Sequence, residues 1–423
     1  MDMVSITPTV LNGKVNIPPS KSFAHRAVIA GFLSGESCRI SNLSLSQDIK
    51  ATLGCAKTLG GKFNFDKKSA SVTFKDVFKT IKRTPTLDCG ESGSTLRFFI
   101  PIALAMYPKA NFTGHGRLME RPLTPYFDIF EEKGIKYILK NNVLSVEGKL
   151  QPGIFKIDGS ISSQFITGLL FALPLLDGDS RIEIEGNLSS RSYVDITISV
   201  LQSFGIEIEN ENYSAFNIKG NQQYKPQDYT VEGDFSQAAF FLVAGALGCN
   251  VTCQGLDENS LQGDKKIIEI IEETGAKVDR CSNSSLRAIH TGNMHGITVD
   301  ADEIPDLVPI LAVLMCFCKG TSRIENAGRL RLKESDRLAA ICSELKKMGA
   351  DITEGEDFLE IQGKQVLCGG QLSAWNDHRI AMALAIAACR TEGEVVIDGA
   401  KHAVKKSYPN FFDDYKALGG NVE

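Results

Sequence analysis

Residues 345–350 read LKKMGA, and five other stretches of the chain share this pattern of an apolar residue, polar or small residues, and then a glycine. A glycine directly after an amphipathic helix adopts the left-handed backbone conformation at little cost and ends the helix. These glycines recur at intervals of 70 to 74 residues and are Gly60, Gly134, Gly205, Gly275, Gly349 and Gly419. Chance would not hold so constant a spacing along the full length, so the chain is predicted to consist of six repeated units.

The hydrophobic pattern also predicts what one unit contains. Residues 136–148 alternate apolar and polar side chains around Asn141 and Asn142, which predicts two antiparallel strands joined by a tight turn. A second hairpin is expected with its turn near residues 210–212. A longer apolar helix lies earlier in each unit, as at residues 162–176, and a strand follows it. Each unit is therefore predicted to run strand, helix, strand, helix, strand, strand, in an α/β (α+β) fold.

Composition restricts the class of protein. The chain has 423 residues, 43% hydrophobic and 23% charged, with a net charge of -5, which is ordinary globular composition and argues against a nucleic-acid partner. The sequence has no apolar run of membrane-spanning length, and its first residues lack signal-peptide character, so we expect a cytoplasmic protein with no membrane partner. The eleven cysteines include no CxxC pair, which predicts reduced thiols and no metal site.

Polar clusters mark the start of the first long helix in most units. The clusters are residues 19–22 with His25 and Arg26; residues 90–95 with Arg97; Ser160 with residues 162–164; residues 233–236; Asp302 with Pro305 and Asp306; and residues 376–379. Helix N-termini carry unpaired N–H groups and the positive end of the dipole, so they attract anions. Simple N-capping is the preferred interpretation for Asp234 and Ser236. It does not explain the cations at these positions, which indicate an external anion.

The predicted second helices begin with further charged groups. These are residues 120–122, residues 190–193, residues 333–337 and residues 405–409. A cleft with many cations and a few carboxylates is suited to one or two small, multiply charged anions, with the carboxylates left for proton transfer.

A set of motifs in a fixed order carries a family resemblance. The motifs are PPSKSFAHR, ESGSTLR, ERPLTP, SSQF, EGDFS, IPDLVP, LRLKESDR, NDHRIAM and KSYP. In this order, on a six-fold repeat, the chain resembles the enolpyruvyl transferases and in particular the 5-enolpyruvylshikimate-3-phosphate synthases. The resemblance implies two domains of three βαβαββ units each, an inside-out α/β barrel arrangement. The implied boundaries are 1–18 with 230–423 for one domain and 19–229 for the other, with a closing hinge near 16–19 and 224–229.

The resemblance also implies an activity and a set of site residues. The enolpyruvyl group of phosphoenolpyruvate would pass to the 5-hydroxyl of shikimate 3-phosphate by addition and elimination, without a metal or organic cofactor, in a monomer. The implied shikimate 3-phosphate ligands are Lys21, Ser22, Arg26, Ser162, Ser163, Gln164, Ser190, Tyr193, Asp306 and Lys333. The implied phosphoenolpyruvate ligands are Lys21, Gly93, Arg121, Gln164, Arg337, Arg379 and Lys406. The implied catalytic groups are Asp306, Glu334, Lys21 and His378.

One position departs from the family, and two alternative functions stay open. The family usually has Asn where this chain has Glu91, beside the phosphoenolpyruvate region, where the inhibitor glyphosate also competes. The first alternative is the related transferase that acts on UDP-N-acetylglucosamine, which typically carries a catalytic cysteine in a loop corresponding to residues 114–121, where this chain has none. The second is a non-catalytic anion-binding protein of the same fold, which would not need Asp306 and Glu334.

Overall fold

The computed structural model describes residues 2–75, 83–281 and 284–423, and the chain divides into two compact units. The N-terminal unit is Lys21–Val231, and the C-terminal unit is Glu232–Glu423 together with Met1–Ser20. The unit boundaries therefore fall at residues 20 and 231, against the expected 18 and 229. Each unit has its own cluster of buried apolar side chains. The hinge function expected for residues 16–19 and 224–229 stays a prediction.

The chain begins with two strands of the C-terminal unit, β1 (Met3–Thr7) and β2 (Asn12–Asn16). The N-terminal unit contains α1 (Lys21–Leu33), β3 (Arg39–Ser41), α2 (Gln47–Thr58), β4 (Phe63–Asp66), β5 (Ser71–Phe74), β6 (Thr86–Asp88), α3 (Gly93–Met106), β7 (Lys109–Thr113), α4 (Thr124–Glu132), β8 (Lys136–Lys140), β9 (Val143–Glu147), β10 (Ile154–Asp158), α5 (Ser163–Ala172), β11 (Ser180–Glu185), α6 (Arg191–Ser203), β12 (Ile208–Glu211), β13 (Ala215–Ile218) and β14 (Tyr229–Thr230).

The remaining elements belong to the C-terminal unit. They are α7 (Phe235–Ala246), β15 (Asn250–Gln254), α8 (Ile267–Glu273), β16 (Lys277–Cys281), β17 (Ser285–Ile289), β18 (Thr298–Asp300), α9 (Val308–Met315), β19 (Thr321–Glu325), α10 (Arg337–Lys347), β20 (Asp351–Glu354), β21 (Leu359–Gln362), β22 (Leu367–Ser373), α11 (His378–Ala387), β23 (Thr391–Asp398), α12 (Ala400–Ala403), α13 (Phe411–Ala417) and β24 (Asn421–Val422). Short 3-10 helices lie at Leu118–Glu120, Leu173–Leu175, Gly263–Lys266, Pro305–Leu307, Gly328–Leu332, Ala388–Arg390 and Val404–Lys406.

Across the described residues, these strands form six four-stranded sheets with one shared topology. In the order β10-β11-β13-β12, the first two strands are parallel and connected through α5, and the others pair antiparallel. Three of the sheets are completed by strands from distant parts of the chain, because β14 pairs with β3, β2 pairs with β15 and β1 pairs with β23. The predicted α/β fold of βαβαββ units is confirmed.

The repeat glycines have the backbone conformation that the sequence pattern predicts. All six have positive φ, from 66° at Gly134 to 104° at Gly60. At Gly349 the N–H donates to Lys346 O at 2.9 Å and the next N–H, of Ala350, donates to Leu345 O at 3.0 Å, which closes the helix in a Schellman arrangement. A side chain at such a position would be strained, so glycine is what ends each helix and starts the hairpin.

The hairpin turns also rest on left-handed residues. Asn141 and Asn142 have φ of 51° and 59°, as a two-residue primed turn between β8 and β9 requires. In the next repeat the left-handed pair is Asn212 and Tyr213, at the end of the stretch expected to turn.

A recurring turn brings the first long helix of a repeat to the end of its first strand. The side chain of the last strand residue accepts a hydrogen bond from the backbone N–H two residues later. Asp88 accepts from the Gly90 N–H at 3.0 Å, and Ser373 accepts from the Trp375 N–H at 3.1 Å. Asp158 and Asp300 accept in the same way. The helix that follows is N-capped by Ser92, Ser162 and Asp377 in three of the repeats. The predicted polar clusters therefore do lie at helix N-termini.

Two global features bear on the function classes considered above. Within the described ranges, no helix is long and apolar enough to cross a membrane, and no group of three or more His, Cys, Asp or Glu side chains could hold a metal ion. The eleven cysteines are free thiols, and most of them are buried.

Candidate functional site

Arg26 forms the centre of a buried network in the N-terminal unit. Its side chain lies in the second turn of α1 and is 2% exposed. It donates to Thr197 Oγ1 at 2.8 Å, to Ser22 O at 2.8 Å and to Tyr193 O at 3.0 Å. Burial lowers the pKa of Arg26 to about 9, and Tyr193 opposes that shift. All of these partners are neutral, so this buried cation has little internal charge compensation.

Lys21 opens helix α1 and is paired across to α2. Its ammonium nitrogen lies 3.0 Å from Asp48 Oδ2, and both side chains are mostly buried. Asp48 stands in the first turn of α2, where sequence reasoning would treat it as an ordinary favourable helix-start charge. The ion pair holds the first turns of α1 and α2 together.

Gln164 connects the N-termini of α3 and α5. Its Oε1 accepts from Arg97 Nη1 at 2.7 Å, and its Nε2 donates to Ser94 Oγ at 3.0 Å. The backbone N–H of Gln164 donates to the capping hydroxyl of Ser162 at 3.3 Å. The amide is thus fixed in one orientation by donors and acceptors on both sides.

Arg121 lies directly against the backbone at Gly93. A methyl group on Gly93 would stand 2.7 Å from Arg121 Nη1 and 3.0 Å from its Cζ, so only glycine permits this approach. Arg121 Nε is buried and has no hydrogen-bond partner among the described residues. The close approach therefore holds the guanidinium group of Arg121 against the start of α3.

The remaining polar residues of the N-terminal unit lie at the starts of α5 and α6. Ser163 is the first residue of α5 and is buried. Ser190 precedes α6 with a left-handed φ of 58°, although it is not glycine, and its side chain does not cap the helix. Strain of this kind clusters at ligand-binding sites, where the surrounding structure maintains it. The Tyr193 carbonyl ties α6 to Arg26 on α1.

A chain of hydrogen bonds runs beneath this surface through three helices. His25 Nδ1 bonds Thr52 Oγ1 at 2.7 Å, and Thr52 Oγ1 bonds Thr95 Oγ1 at 2.7 Å. Thr95 then donates to Ser92 Oγ, the N-cap of α3, at 2.8 Å. Burial, with the nearby charges of Lys21 and Arg26, holds the pKa of His25 well below its usual value, so the ring is neutral. The network sets the start of α3 against α1 and α2.

Arg337 organises the cluster of the C-terminal unit by binding three carboxylates. It donates to Asp377 at 2.8 Å, to Asp306 at 2.9 Å and to Glu334 at 2.9 Å. Burial alone would lower the pKa of Arg337, but Asp377, Glu334 and Asp306 together raise it above its usual value. The guanidinium is 1% exposed, whereas the side chains of Asp306 and Glu334 are 21% and 17% exposed. The carboxylates are therefore held in place while staying within reach of a ligand.

Arg379 holds Asp306 from a second side. Its Nη2 donates to Asp306 Oδ2 at 2.6 Å and to Ser236 Oγ at 3.0 Å. The capping interpretation is right for Asp234, which accepts from the Gln237 N–H at 3.2 Å. It is incomplete for Ser236, because that hydroxyl also contacts Arg379. The argument that cations at helix starts require an external anion is likewise incomplete here, because Arg337 and Arg379 bind carboxylates of the chain itself.

Two lysines complete this cluster. Lys333 Nζ lies 3.9 Å from Asp306 Oδ1, and burial lowers the pKa of Lys333 to about 8 while Asp306 opposes the shift. Lys406 is buried and donates to Asn376 O at 2.7 Å. His378 is also buried, with Nδ1 3.9 Å from Asp377 Oδ1. Every site residue predicted in this unit lies in or beside the carboxylate–arginine cluster.

Sequence reasoning missed several residues of both clusters. Asp48, Asp377 and the Asn376 carbonyl each bind a predicted site cation, yet none was assigned a role. Asp377 and Asn376 stand within the quoted motif NDHRIAM, so their position in it was a usable signal. Asp48 lies outside every quoted motif, and nothing in the local sequence separates it from a solvated helix charge.

Comparison with known proteins identifies the family to which the chain belongs. A family model described as EPSP synthase (3-phosphoshikimate 1-carboxyvinyltransferase) matches residues 6–415. The chain is similar to the 3-phosphoshikimate 1-carboxyvinyltransferase of Clostridium novyi (strain NT), at 51% identity over 100% of this chain and 99% of that protein. The same enzyme of Clostridioides difficile (strain 630) is 46% identical, with 100% and 99% covered. A solved EPSP synthase structure from Acinetobacter baumannii superposes with a TM-score of 0.82 at 25% identity, covering 100% of this chain and 99% of that one.

Proposed function

We propose, because the chain belongs to the EPSP synthase family, that its two charged clusters carry out enolpyruvyl transfer. The enzyme transfers the carboxyvinyl group of phosphoenolpyruvate to the 5-hydroxyl of shikimate 3-phosphate and releases phosphate, a step of aromatic amino acid biosynthesis. The observation that carries the assignment of residues is the binding of two partly exposed carboxylates, Asp306 and Glu334, to one buried arginine. A site that only bound anions would be weakened by carboxylates at that position.

Shikimate 3-phosphate is assigned mainly to the N-terminal unit. Arg26 already uses most of its N–H groups on neutral acceptors, so its main contribution to a bound phosphate or carboxylate is charge. The hydroxyls at the helix starts supply directional hydrogen bonds and are Ser22, Ser162, Ser163, Ser190 and Tyr193. Gln164, fixed by Arg97 and Ser94, would lie against the ring. Lys333 and Asp306 are the ligands assigned from the C-terminal unit.

Phosphoenolpyruvate is assigned to cations of both clusters. Arg121 at Gly93 and Lys21 are the assigned cations of the N-terminal unit, with Gln164 as a neutral ligand. Arg337, Arg379 and Lys406 are those of the C-terminal unit. Since Arg379 Nη2 donates to Asp306 Oδ2 at 2.6 Å, a carboxylate or phosphate group of the substrate would compete with Asp306 for Arg379. Such an exchange would release Asp306 for proton transfer as the substrate binds.

The proposed chemistry has two proton-transfer steps. Asp306, with Lys21, takes the proton of the 5-hydroxyl as its oxygen attacks C2 of phosphoenolpyruvate, and Glu334 delivers a proton to C3. The C–O bond to phosphate then breaks while a proton leaves C3, which restores the double bond in the product. Buried arginines and lysines stabilise the developing negative charge throughout. His378, buried beside Asp377, is the remaining group assigned to catalysis.

The finer partner and location assignments belong to this proposal as well. We propose a monomer in the cytoplasm, without nucleic acid or membrane as a partner. The support is that each unit buries its own core, each candidate cluster is complete within this chain, and the net charge is -5.

The test is release of phosphate from phosphoenolpyruvate by the purified protein. We expect release only when shikimate 3-phosphate is also present, without added metal, and a mass increase of the acceptor that matches one carboxyvinyl group. Equal release with UDP-N-acetylglucosamine as acceptor would assign the chain to the related transferase instead. Tight binding of both substrates with no product would favour the non-catalytic alternative.

A further inference from the structure

Glu344 is a fully buried carboxylate that is not among the residues assigned to the reaction. It lies in the middle of α10, whose first residue is Arg337, and is 0% exposed. Lys347 Nζ contacts both of its oxygens, at 2.8 and 2.9 Å, from the exposed side. Its other two contacts reach away from α10: Oε2 accepts the Ser373 N–H at 2.9 Å and Oε1 accepts the Trp375 indole N–H at 2.8 Å.

The turn from Ser373 to Asp377, which Glu344 contacts, is strained. Trp375 and Asn376 are consecutive residues with φ of 51° and 52°, a left-handed conformation that side chains other than glycine adopt at a cost. Within the turn, the Trp375 N–H donates to Ser373 Oγ at 3.1 Å and the Asp377 N–H donates to Ala374 O at 2.8 Å. Bonds from outside the turn must supply the rest of the energy that maintains it, and Glu344 provides two of them.

The strained turn presents two parts of the proposed phosphoenolpyruvate site. The Asn376 carbonyl accepts from Lys406 Nζ at 2.7 Å, and it can point there only because of the left-handed turn. Asp377, the next residue, caps α11 and binds Arg337, and Arg379 follows in the first turn of that helix. Any relaxation of the turn would therefore move the acceptor for Lys406 and the start of the helix that carries Arg379.

We propose that Glu344 is a positioning residue for phosphoenolpyruvate binding. Its bonds to Ser373 and Trp375 hold the turn from Ser373 to Asp377, and the turn holds Lys406 and Arg379. The inference rests on the proposed function, because it takes Lys406 and Arg379 as phosphoenolpyruvate ligands. It also accounts for a buried charged residue, because one backbone N–H, one indole N–H and one ammonium satisfy the carboxylate.

The experiment compares steady-state kinetics of three variants with the natural enzyme. Glu344→Gln keeps the shape but leaves one oxygen in place of two. Trp375→Phe keeps an aromatic ring, although a smaller one, and removes the indole N–H that bonds Glu344. Lys347→Ala is the matched control, because it removes the exposed partner of Glu344 and leaves both bonds to the turn.

We expect Glu344→Gln to raise KM for phosphoenolpyruvate by about tenfold, the effect of losing one charge-assisted hydrogen bond. KM for shikimate 3-phosphate and kcat should change less than about threefold, and Lys347→Ala should resemble the natural enzyme. Trp375→Phe should give a smaller rise of the same kind. In a double variant that combines Glu344→Gln with Trp375→Phe, KM for phosphoenolpyruvate should be no higher than in Glu344→Gln alone, because both substitutions break the same interaction.

The single tryptophan of the chain gives an independent readout. Trp375 emission should shift to longer wavelength in Glu344→Gln, because the released indole becomes more hydrated, and should stay unchanged in Lys347→Ala. If Glu344→Gln raises both KM values equally, or lowers thermal stability with unchanged kinetics, Glu344 is merely structural and the inference is wrong. Should Glu344→Gln fail to fold, Trp375→Phe decides alone, and an unchanged KM for phosphoenolpyruvate in it overturns the inference.

Lys406→Met separates this inference from the proposed function. An unchanged KM for phosphoenolpyruvate in Lys406→Met would remove the assigned ligand, and with it the premise. A raised KM in Lys406→Met together with an unchanged KM in Glu344→Gln would leave the proposed function standing and reject the positioning role.

Discussion

Arg26 in the N-terminal unit and Arg337 in the C-terminal unit are both buried arginines, but their partners differ in charge. Arg26 bonds two carbonyl and two hydroxyl oxygens, while Arg337 bonds three carboxylates. A buried charge among neutral groups raises the energy of the empty protein, and a ligand anion relieves that cost on binding. A charge balanced by carboxylates is stable without ligand and keeps those carboxylates ready for proton transfer. The comparison thus indicates that Arg26 mainly supplies charge to a ligand, whereas Arg337 mainly holds the proposed proton-transfer carboxylates in place.

The largest effect should come from removing the carboxylates of the C-terminal cluster. Asp306→Asn and Glu334→Gln keep the shape and remove the base, so we predict that turnover falls by about 10²–10⁴-fold while substrate binding is largely kept. Steady-state kinetics and equilibrium binding measure the two quantities. Glu325→Gln, on a surface strand of the same unit, is the control and should be nearly silent. Near-normal turnover in both site variants, with only KM raised, would mean that these carboxylates are not the proton carriers.

The second prediction compares how much each of the two arginines contributes to the stability of the folded chain. Arg337→Met leaves three carboxylates around an uncharged group and should lower the free energy of unfolding by about 3–5 kcal/mol. Arg26→Met removes a poorly compensated charge and should change that free energy by less than about 1 kcal/mol. Its hydroxyl partners stay satisfied, because Thr197 Oγ1 donates to Tyr193 O at 2.7 Å and bonds Thr167 Oγ1 at 2.9 Å.

Urea titrations of the two variants and the natural enzyme provide the measurement, with KM for shikimate 3-phosphate as the functional check. That KM should rise strongly in Arg26→Met despite the unchanged stability. Equal destabilisation by both substitutions would remove the distinction between the two clusters.

The third prediction uses the pH dependence of Lys333. Its pKa of about 8 in the folded chain is lowered, mainly by burial, from a usual value of 10.5. Since a bound phosphate needs the charged form, KM for shikimate 3-phosphate should rise up to about tenfold per pH unit above pH 8. The free energy of unfolding should increase as the pH rises from 8 to 10.5, because in that range the unfolded chain binds more protons than the folded chain.

Lys333→Arg keeps the charge at all these pH values and is the control for the titration. Its KM for shikimate 3-phosphate should not rise near pH 8, and any rise that remains should begin only near pH 9, the pKa of Arg26. If the natural enzyme and this variant show the same rise above pH 8, another group titrates and Lys333 is not the ligand.

The sequence predicted the fold well because the decisive signals are local. Each repeat glycine ends its own helix, and Asn141-Asn142 closes its own hairpin, so no distant contact is needed to recognise either. The same reasoning could not find which strand completes each sheet. The pairing of β2 with β15 and of β14 with β3 joins segments far apart in the chain, and nothing in their short sequences encodes the partner.

The candidate site was predicted in part, for a related reason. Charged residues at helix starts could be located from the pattern, but their partners are set by packing of separate helices. The link from Lys21 to Asp48, and that from Glu344 to Trp375, are side-chain contacts across elements. The balance of charge around Arg337 and Arg379 depends on Asp306, which lies in the same repeat as Arg337 and bonds Arg379 in the following repeat. Sequence reasoning therefore expected an external anion where the chain supplies its own.

The smallest effect is expected at Glu91, where the family usually has Asn. Glu91 is half-buried, and its Oε2 lies 2.7 Å from where a methyl group on Gly116 would stand, so the side chain packs on that loop instead of extending into solvent. It precedes Ser92, the N-cap of α3, where the helix dipole favours a negative charge.

The same negative charge is unfavourable for anion binding, because it lies two residues from Gly93 and its neighbour Arg121, the proposed phosphoenolpyruvate ligands. Glu91→Asn removes the charge and shortens the side chain by one methylene, so we predict that KM for phosphoenolpyruvate stays unchanged or falls by at most about threefold, the size of a partly screened charge effect. The difference should shrink at high ionic strength, because salt screens it. A clearly raised KM in Glu91→Asn would show that the carboxylate organises the loop around Arg121, and the electrostatic argument would then be wrong.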